Sequence, residues 1–162
     1  MELLAIDHFT LRVTPDELAA LRSFYVDVLG LREGARADFD FPGHWLYAGA
    51  QAVVHLAGNQ PRGETAVSPD LPTGRFNHVA LRAKGLAAMR SRLQAQGIDW
   101  QEAPVPGLPV HQLFLRDPVG LQIELSFDAA ELAVAGPSTR PTSWPRWNGC
   151  RGRAHWSPRR ST

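Results

Sequence analysis

Apolar and polar residues alternate with two periods along the first 128 residues, and each change of period marks a new element. From Ile6 to Val13 the period is two. Phe9, Leu11 and Val13 share one face and His8, Thr10 and Arg12 the other, as in a half-buried strand. The period then lengthens to that of a helix. Leu18, Leu21, Phe24, Tyr25, Val28 and Leu29 form one apolar stripe. Ahead of it stand a capping Thr14, Pro15 in the first turn and Glu17 three residues on, and Gly30 supplies the stop. Strand-like runs return at HWLYA (44–48) and AVVHLA (52–57).

The same series then recurs. IDHFTLRV (6–13) matches FNHVALRA (76–83), HWLYA matches HQLFL (111–115), and AVVHLA matches LQIELS (121–126). The second helical stripe is Leu86, Met89 and Leu93, ending at Gly97, and its start is poorly capped. His8 and His78 lie 70 residues apart, Gly30 and Gly97 67, His44 and His111 67, and His55 and Glu124 69. Near-equal offsets in one order indicate two copies of a module of about 55–60 residues. Each module reads as strand, helix and three strands. The pattern predicts an α+β domain over residues 1–135, with modules at about 3–58 and 75–128. A pseudo-twofold between them would turn their polar strand faces toward one cavity.

Composition changes this picture at one end. The chain has 17 Lys+Arg against 16 Asp+Glu, but residues 136–162 hold six Arg and no acid. That segment has four Pro, three Gly and no Ile, Leu, Val, Met or Phe, which predicts a disordered Arg/Pro/Trp tail. The remaining 1–135 are mildly acidic and give no electrostatic footprint for nucleic acid. No apolar run approaches a membrane span, and the single Cys150 excludes an internal disulfide. The expectation is a cytoplasmic protein without nucleic-acid or membrane partners.

The repeat also selects the candidate chemistry. His8, His55, His78 and Glu124 fall at equivalent polar-face positions, two on first strands and two on last strands. A lone histidine on a half-buried strand is more often a hydrogen-bonded core residue. Three of the five histidines before the tail at symmetry-related positions, together with a glutamate, instead suggest a divalent metal site for Fe, Mn, Ni, Co or Zn. His44 and His111 open strands and are expected at the surface or a pocket edge. Phe39, Phe41, Trp45 and Tyr47 are candidate pocket walls.

With IDHFTLRV, SFYVDVLGLRE, AVVHLAG, NHVALRA and LFLRDPVGLQIEL in this order, the chain resembles the vicinal oxygen chelate superfamily over about residues 3–128. That superfamily includes glyoxalase I, extradiol dioxygenases, fosfomycin thiol transferases and bleomycin-binding proteins. The resemblance implies paired βαβββ modules curled around a metal held by His8, His78 and Glu124, with His55 at the place of a fourth ligand. It implies a homodimer and a small oxygenated substrate. Glyoxalase-like isomerisation of a glutathione adduct is the first expectation. Glu124 and His55 would be the catalytic groups, and Arg12, Asn59 and Arg82 would bind substrate. A His/His/Glu set also suits a dioxygenase or a thiol transferase. A binding protein without catalysis is the third class, and its members generally lack the ligands.

Overall fold

The computed structural model describes residues 1, 4–58 and 76–136. The chain divides into two compact units.

The first unit runs β1 (Phe9–Arg12), α1 (Pro15–Ser23), a π-helical turn (Phe24–Val28), β2 (Arg32–Gly34), β3 (Gly43–Ala48) and β4 (Gln51–Ala57). Its four strands form one mixed sheet in the order β1-β4-β3-β2. The start of α1 is set locally, since the Glu17 carboxylate accepts from the Thr14 amide at 2.8 Å and from its hydroxyl at 3.0 Å. The apolar stripe does its expected work. Leu18, Leu21, Phe24, Tyr25 and Val28 are all buried, as are Leu46, Val54 and Leu56 of the sheet. The π turn widens the end of the helix, and Gly30 then leaves it at φ +80°.

The second unit runs β5 (Val79–Arg82), α2 (Leu86–Ala95), β6 (Trp100–Pro104), β7 (Val110–Arg116), β8 (Gln122–Asp128), a 3-10 turn (Ala129–Glu131) and α3 (Leu132–Ala135). Its sheet repeats the first order as β5-β8-β7-β6. The register repeats as well. Thr10 lies opposite His55 in the parallel pair β1–β4, and Ala80 lies opposite Glu124 in β5–β8. The βαβββ reading therefore holds for each unit, with one shift. The strands expected from Ile6 and Phe76 begin at Phe9 and Val79, so His8 and His78 each precede a strand.

Two devices bring β8 into register. Asp117, buried, accepts through Oδ1 from the amides of Val119 at 3.0 Å and Leu121 at 2.8 Å. Gly120 turns the chain at φ +89°, a left-handed conformation that favours glycine. The missing local cap of α2 is supplied from far along the chain. Glu131 accepts from the amides of Gly85 and Leu86, both at 2.8 Å.

Residues 137–162, where the tail is expected, lie outside the described residues. No helix among the described residues is long and apolar enough to cross a membrane.

Candidate functional site

Each unit brings together one pair of the residues singled out by the sequence. In the second unit the pair is His78 and Glu124. Glu124 is buried on β8, and its Oε1 accepts from Gln112 Nε2 at 2.6 Å and from Ser126 Oγ at 2.7 Å. These two partners sit opposite each other in the β7–β8 ladder. Oε1 is thereby engaged, and Oε2 faces His78 Nε2 at 3.0 Å. The other ring nitrogen, Nδ1, lies 2.8 Å from Asn77 Oδ1, an oxygen that can only accept. Nδ1 must therefore carry the proton, and in a neutral ring Nε2 turns a lone pair toward a carboxylate oxygen. That contact is favourable only if a proton or a cation is shared between the two atoms.

The first unit repeats part of this arrangement. His8 Nδ1 lies 2.7 Å from Asp7 Oδ2, which leaves its Nε2 free of the contact. Orienting a ligating histidine through its second nitrogen is the usual support for a metal site. His55, the register counterpart of Glu124, has no polar cradle like that of Gln112 and Ser126. The residues at their register positions are Gly43 and Ala57. Besides a backbone hydrogen bond with Ala52, His55 is held by rings. It stacks on Trp45 at 4.2 Å between centroids and 4° between planes, and on His8 at 3.9 Å and 21°. Burial, and then the charge of a protonated His8, hold the His55 imidazole below its ordinary pKa, so the neutral ring is favoured.

This donor set fits a divalent ion. Cis ligands on bonds of about 2.1 Å lie about 3 Å apart, which is the separation of His78 Nε2 and Glu124 Oε2. Imidazole and carboxylate are the donors preferred by Zn, Fe, Ni, Co and Mn. Among the described residues, no three His, Cys, Asp or Glu side chains gather into a metal cage. Within each unit the candidate ligands come as pairs.

The remaining candidates separate. Arg12 and Arg82 occupy matching, exposed ends of β1 and β5. Asn59 lies outside the described residues. Phe39 and Phe41 stack on each other at 5.1 Å with the Arg36 guanidinium over both rings, and Tyr47 donates to Ala35 O. Of the four proposed walls, Trp45 is the one that touches a candidate site residue.

His111 departs from expectation, because it is buried rather than at an edge. It shares strand parity with Leu113 and Leu115, and its Nε2 lies 2.8 Å from Glu102 Oε2. Glu102 is also buried and accepts at Oε1 from Arg90 Nε and Trp100 Nε1, each at 2.8 Å. Burial alone would raise the Glu102 carboxyl, but the hydrogen bonds from Arg90, Trp100 and His111 bring it down to about 2. Sequence pattern alone does not single out Glu102, Gln112, Ser126, Asp7 and Asn77. The dipeptides Asp7-His8 and Asn77-His78, at matching repeat positions, were an available signal for two of them.

Two units with one strand order and one register, each presenting a histidine just ahead of its first strand, define a paired-module α+β class of protein. The chain belongs to the Glyoxalase/Bleomycin resistance protein/Dioxygenase superfamily, whose family profile matches residues 5–125. It is 30% identical over 109 residues to the Arabidopsis thaliana protein named Glyoxylase I 4. That alignment takes in 64% of this chain but only 60% of the relative. Its fold is similar to that of a glyoxalase family protein from Bacillus anthracis, with a TM-score of 0.62 at 21% identity over 79% of this chain and 98% of that one. It is also similar to the lactoylglutathione lyase of Agrobacterium tumefaciens, at 0.56 and 21% over 80% and 97%.

Proposed function

We propose that this chain is a metal-dependent enzyme acting on a small oxygenated substrate, and that its reaction is glyoxalase-like isomerisation of a glutathione hemithioacetal. The observation that carries the metal is the facing pair of lone-pair atoms, His78 Nε2 and Glu124 Oε2, each backed at its other polar atom. His8, backed by Asp7, is the matching candidate ligand of the first unit. When bound, a divalent cation supplies Lewis-acid stabilisation of negative charge on substrate oxygens.

The protein's own groups do the rest. Glu124, loosened from its ligand role, takes a proton through Oε2 from the carbon next to the substrate carbonyl and returns it to the carbonyl carbon, while the hydroxyl proton of the hemithioacetal passes to the former carbonyl oxygen, so atoms balance in an isomerisation. Gln112 and Ser126 keep Oε1 fixed, so that Oε2 is the atom that exchanges the proton. Arg12 and Arg82 offer cations to the carboxylates of an anionic adduct. The relative named Glyoxylase I 4 supports this reaction within the superfamily. A second reading, a dioxygenase or thiol transferase, is favoured by the ring stack on His55, which leaves His8, His78 and Glu124 as the ligand set.

The test begins with metal content. Protein purified without chelators should carry about one divalent ion per chain, and His78→Ala or Glu124→Ala should remove it. Full metal in both variants refutes the assignment. The wild type loaded in turn with nickel, cobalt and zinc should convert the hemithioacetal. Failure with all three refutes the isomerase, and oxygen uptake with a catechol by the Fe(II) form would then establish the dioxygenase.

A further inference from the structure

We infer that His55 is a positioning residue and not a metal ligand: Trp45 and His55 form a flat buttress that holds the His8 ring in its ligating orientation. This rests on the metal reading above and departs from it at one residue.

The stack itself carries the argument. An imidazole binds a metal through a lone pair that lies in its own ring plane. The planes of His8 and His55 are inclined by only 21°, with centroids 3.9 Å apart. Such planes meet roughly 10 Å from the rings, far beyond a metal–nitrogen bond of about 2.1 Å. One ion cannot serve both rings while they are stacked. Trp45 makes the stacked state the rigid one, because it lies against the opposite face of His55 within 4° of parallel. Trp45 and His55 are direct neighbours across the β3–β4 ladder, so the backbone sets their contact.

The two units thus orient equivalent histidines differently. His78 has Asn77 at Nδ1 and an edge contact from Phe114, with Glu124 as its partner ligand. His8 has Asp7 at Nδ1 and the face of His55. The register position that is a carboxylate in one unit has become a ring platform in the other. Asp7 fixes the tautomer of His8, and the platform fixes its rotation.

The experiment uses the full chain and two readouts. In the metal-free protein, carbon-edited proton spectra of the histidine rings should show His55 shifted upfield by the Trp45 ring current. Trp45→Leu should return that signal downfield. Zinc(II) titrated against a chelating dye should then rank the variants. His55→Phe, flat but unable to ligate, should keep one ion per chain with affinity within about threefold of wild type. His55→Ala should weaken binding about 10–100-fold, as loss of a ligand's support does. His78→Ala should abolish it. An unshifted His55 signal overturns the buttress, and so does a His55→Phe variant as deficient as His78→Ala. A wild type that takes up no zinc overturns the metal reading itself, an outcome distinct from a wild type that binds and a His55→Phe that does not.

Discussion

Glu102→Gln tests the buried network of the second unit. The carboxylate takes hydrogen bonds from two nitrogens of Arg90, from Trp100 and from His111. Glutamine keeps one carbonyl oxygen but puts an amide NH2 at the second position. There it meets the N–H groups of Arg90 and His111, donor against donor. Removing one partner of a buried ion pair costs about 3–5 kcal/mol. Linkage gives a second route to the magnitude. A carboxyl lowered from 4.5 to about 2 contributes about 3 kcal/mol of stability at neutral pH. The two agree, and for a domain of this size the melting temperature should fall by roughly 10–15 °C. The sign with pH follows from the lowered value. The stabilisation is present above 4.5 and is lost as pH falls toward about 2. Glutamine does not ionise, so the gap between wild type and variant should close across that window. Urea unfolding at neutral pH and at intervals down the acid limb measures it. A variant within about 1 kcal/mol of wild type at neutral pH, or a gap that ignores acid, refutes the network as described.

Other expectations are smaller or more specific. Glu131→Ala removes the acceptor for the Gly85 and Leu86 amides and should cost about 1 kcal/mol in urea unfolding, with no cost if the cap is idle. Arg12→Ala should raise KM for the hemithioacetal more than it lowers kcat, while Glu124→Gln should remove turnover; the reverse ranking would place Arg12 at the reacting centre. A chain ended after Gly136 should keep its melting temperature and its metal, as the tail's lack of aliphatic residues predicts, and a loss of several degrees would contradict that.

The two-module fold was legible because a repeat doubles every signal. His8 with His78, and His55 with Glu124, align in the sequence alone, and the β1–β4 register matches that of β5–β8 residue for residue. The alignment of His44 with His111 does not hold, because His44 lies opposite Leu56 and so corresponds to Leu113, two residues further on. Helix α1 was legible because its cap is local. Helix α2 had no readable start, since its cap, Glu131, is 45 residues beyond Leu86. Long-range partners leave no trace in local pattern. The same holds for Gln112, which reaches Glu124 across a ladder. His111 is a different case. Its parity with Leu113 and Leu115 points inward, but its place at the opening of a strand suggests an edge residue. Its acceptor Glu102 sits on another strand, out of sight of the pattern.

The two helices also differ in when they can be completed as the chain is made. Helix α1 closes on Thr14 and Glu17 as soon as its own residues have emerged. Helix α2 is held at its start and at its middle by residues some forty positions further on. Glu131 holds its first amides, and Arg90 donates to the carbonyls of Ala135 and Gly136. A ribosome must therefore deliver some forty further residues before α2 is finished. Until then its N-terminal amides lack their acceptor and the Arg90 cation lacks those two carbonyls. Helix α1 can close during synthesis, whereas α2 waits for residue 136, and a chain stalled before Glu131 would present an incomplete helix to proteases and chaperones.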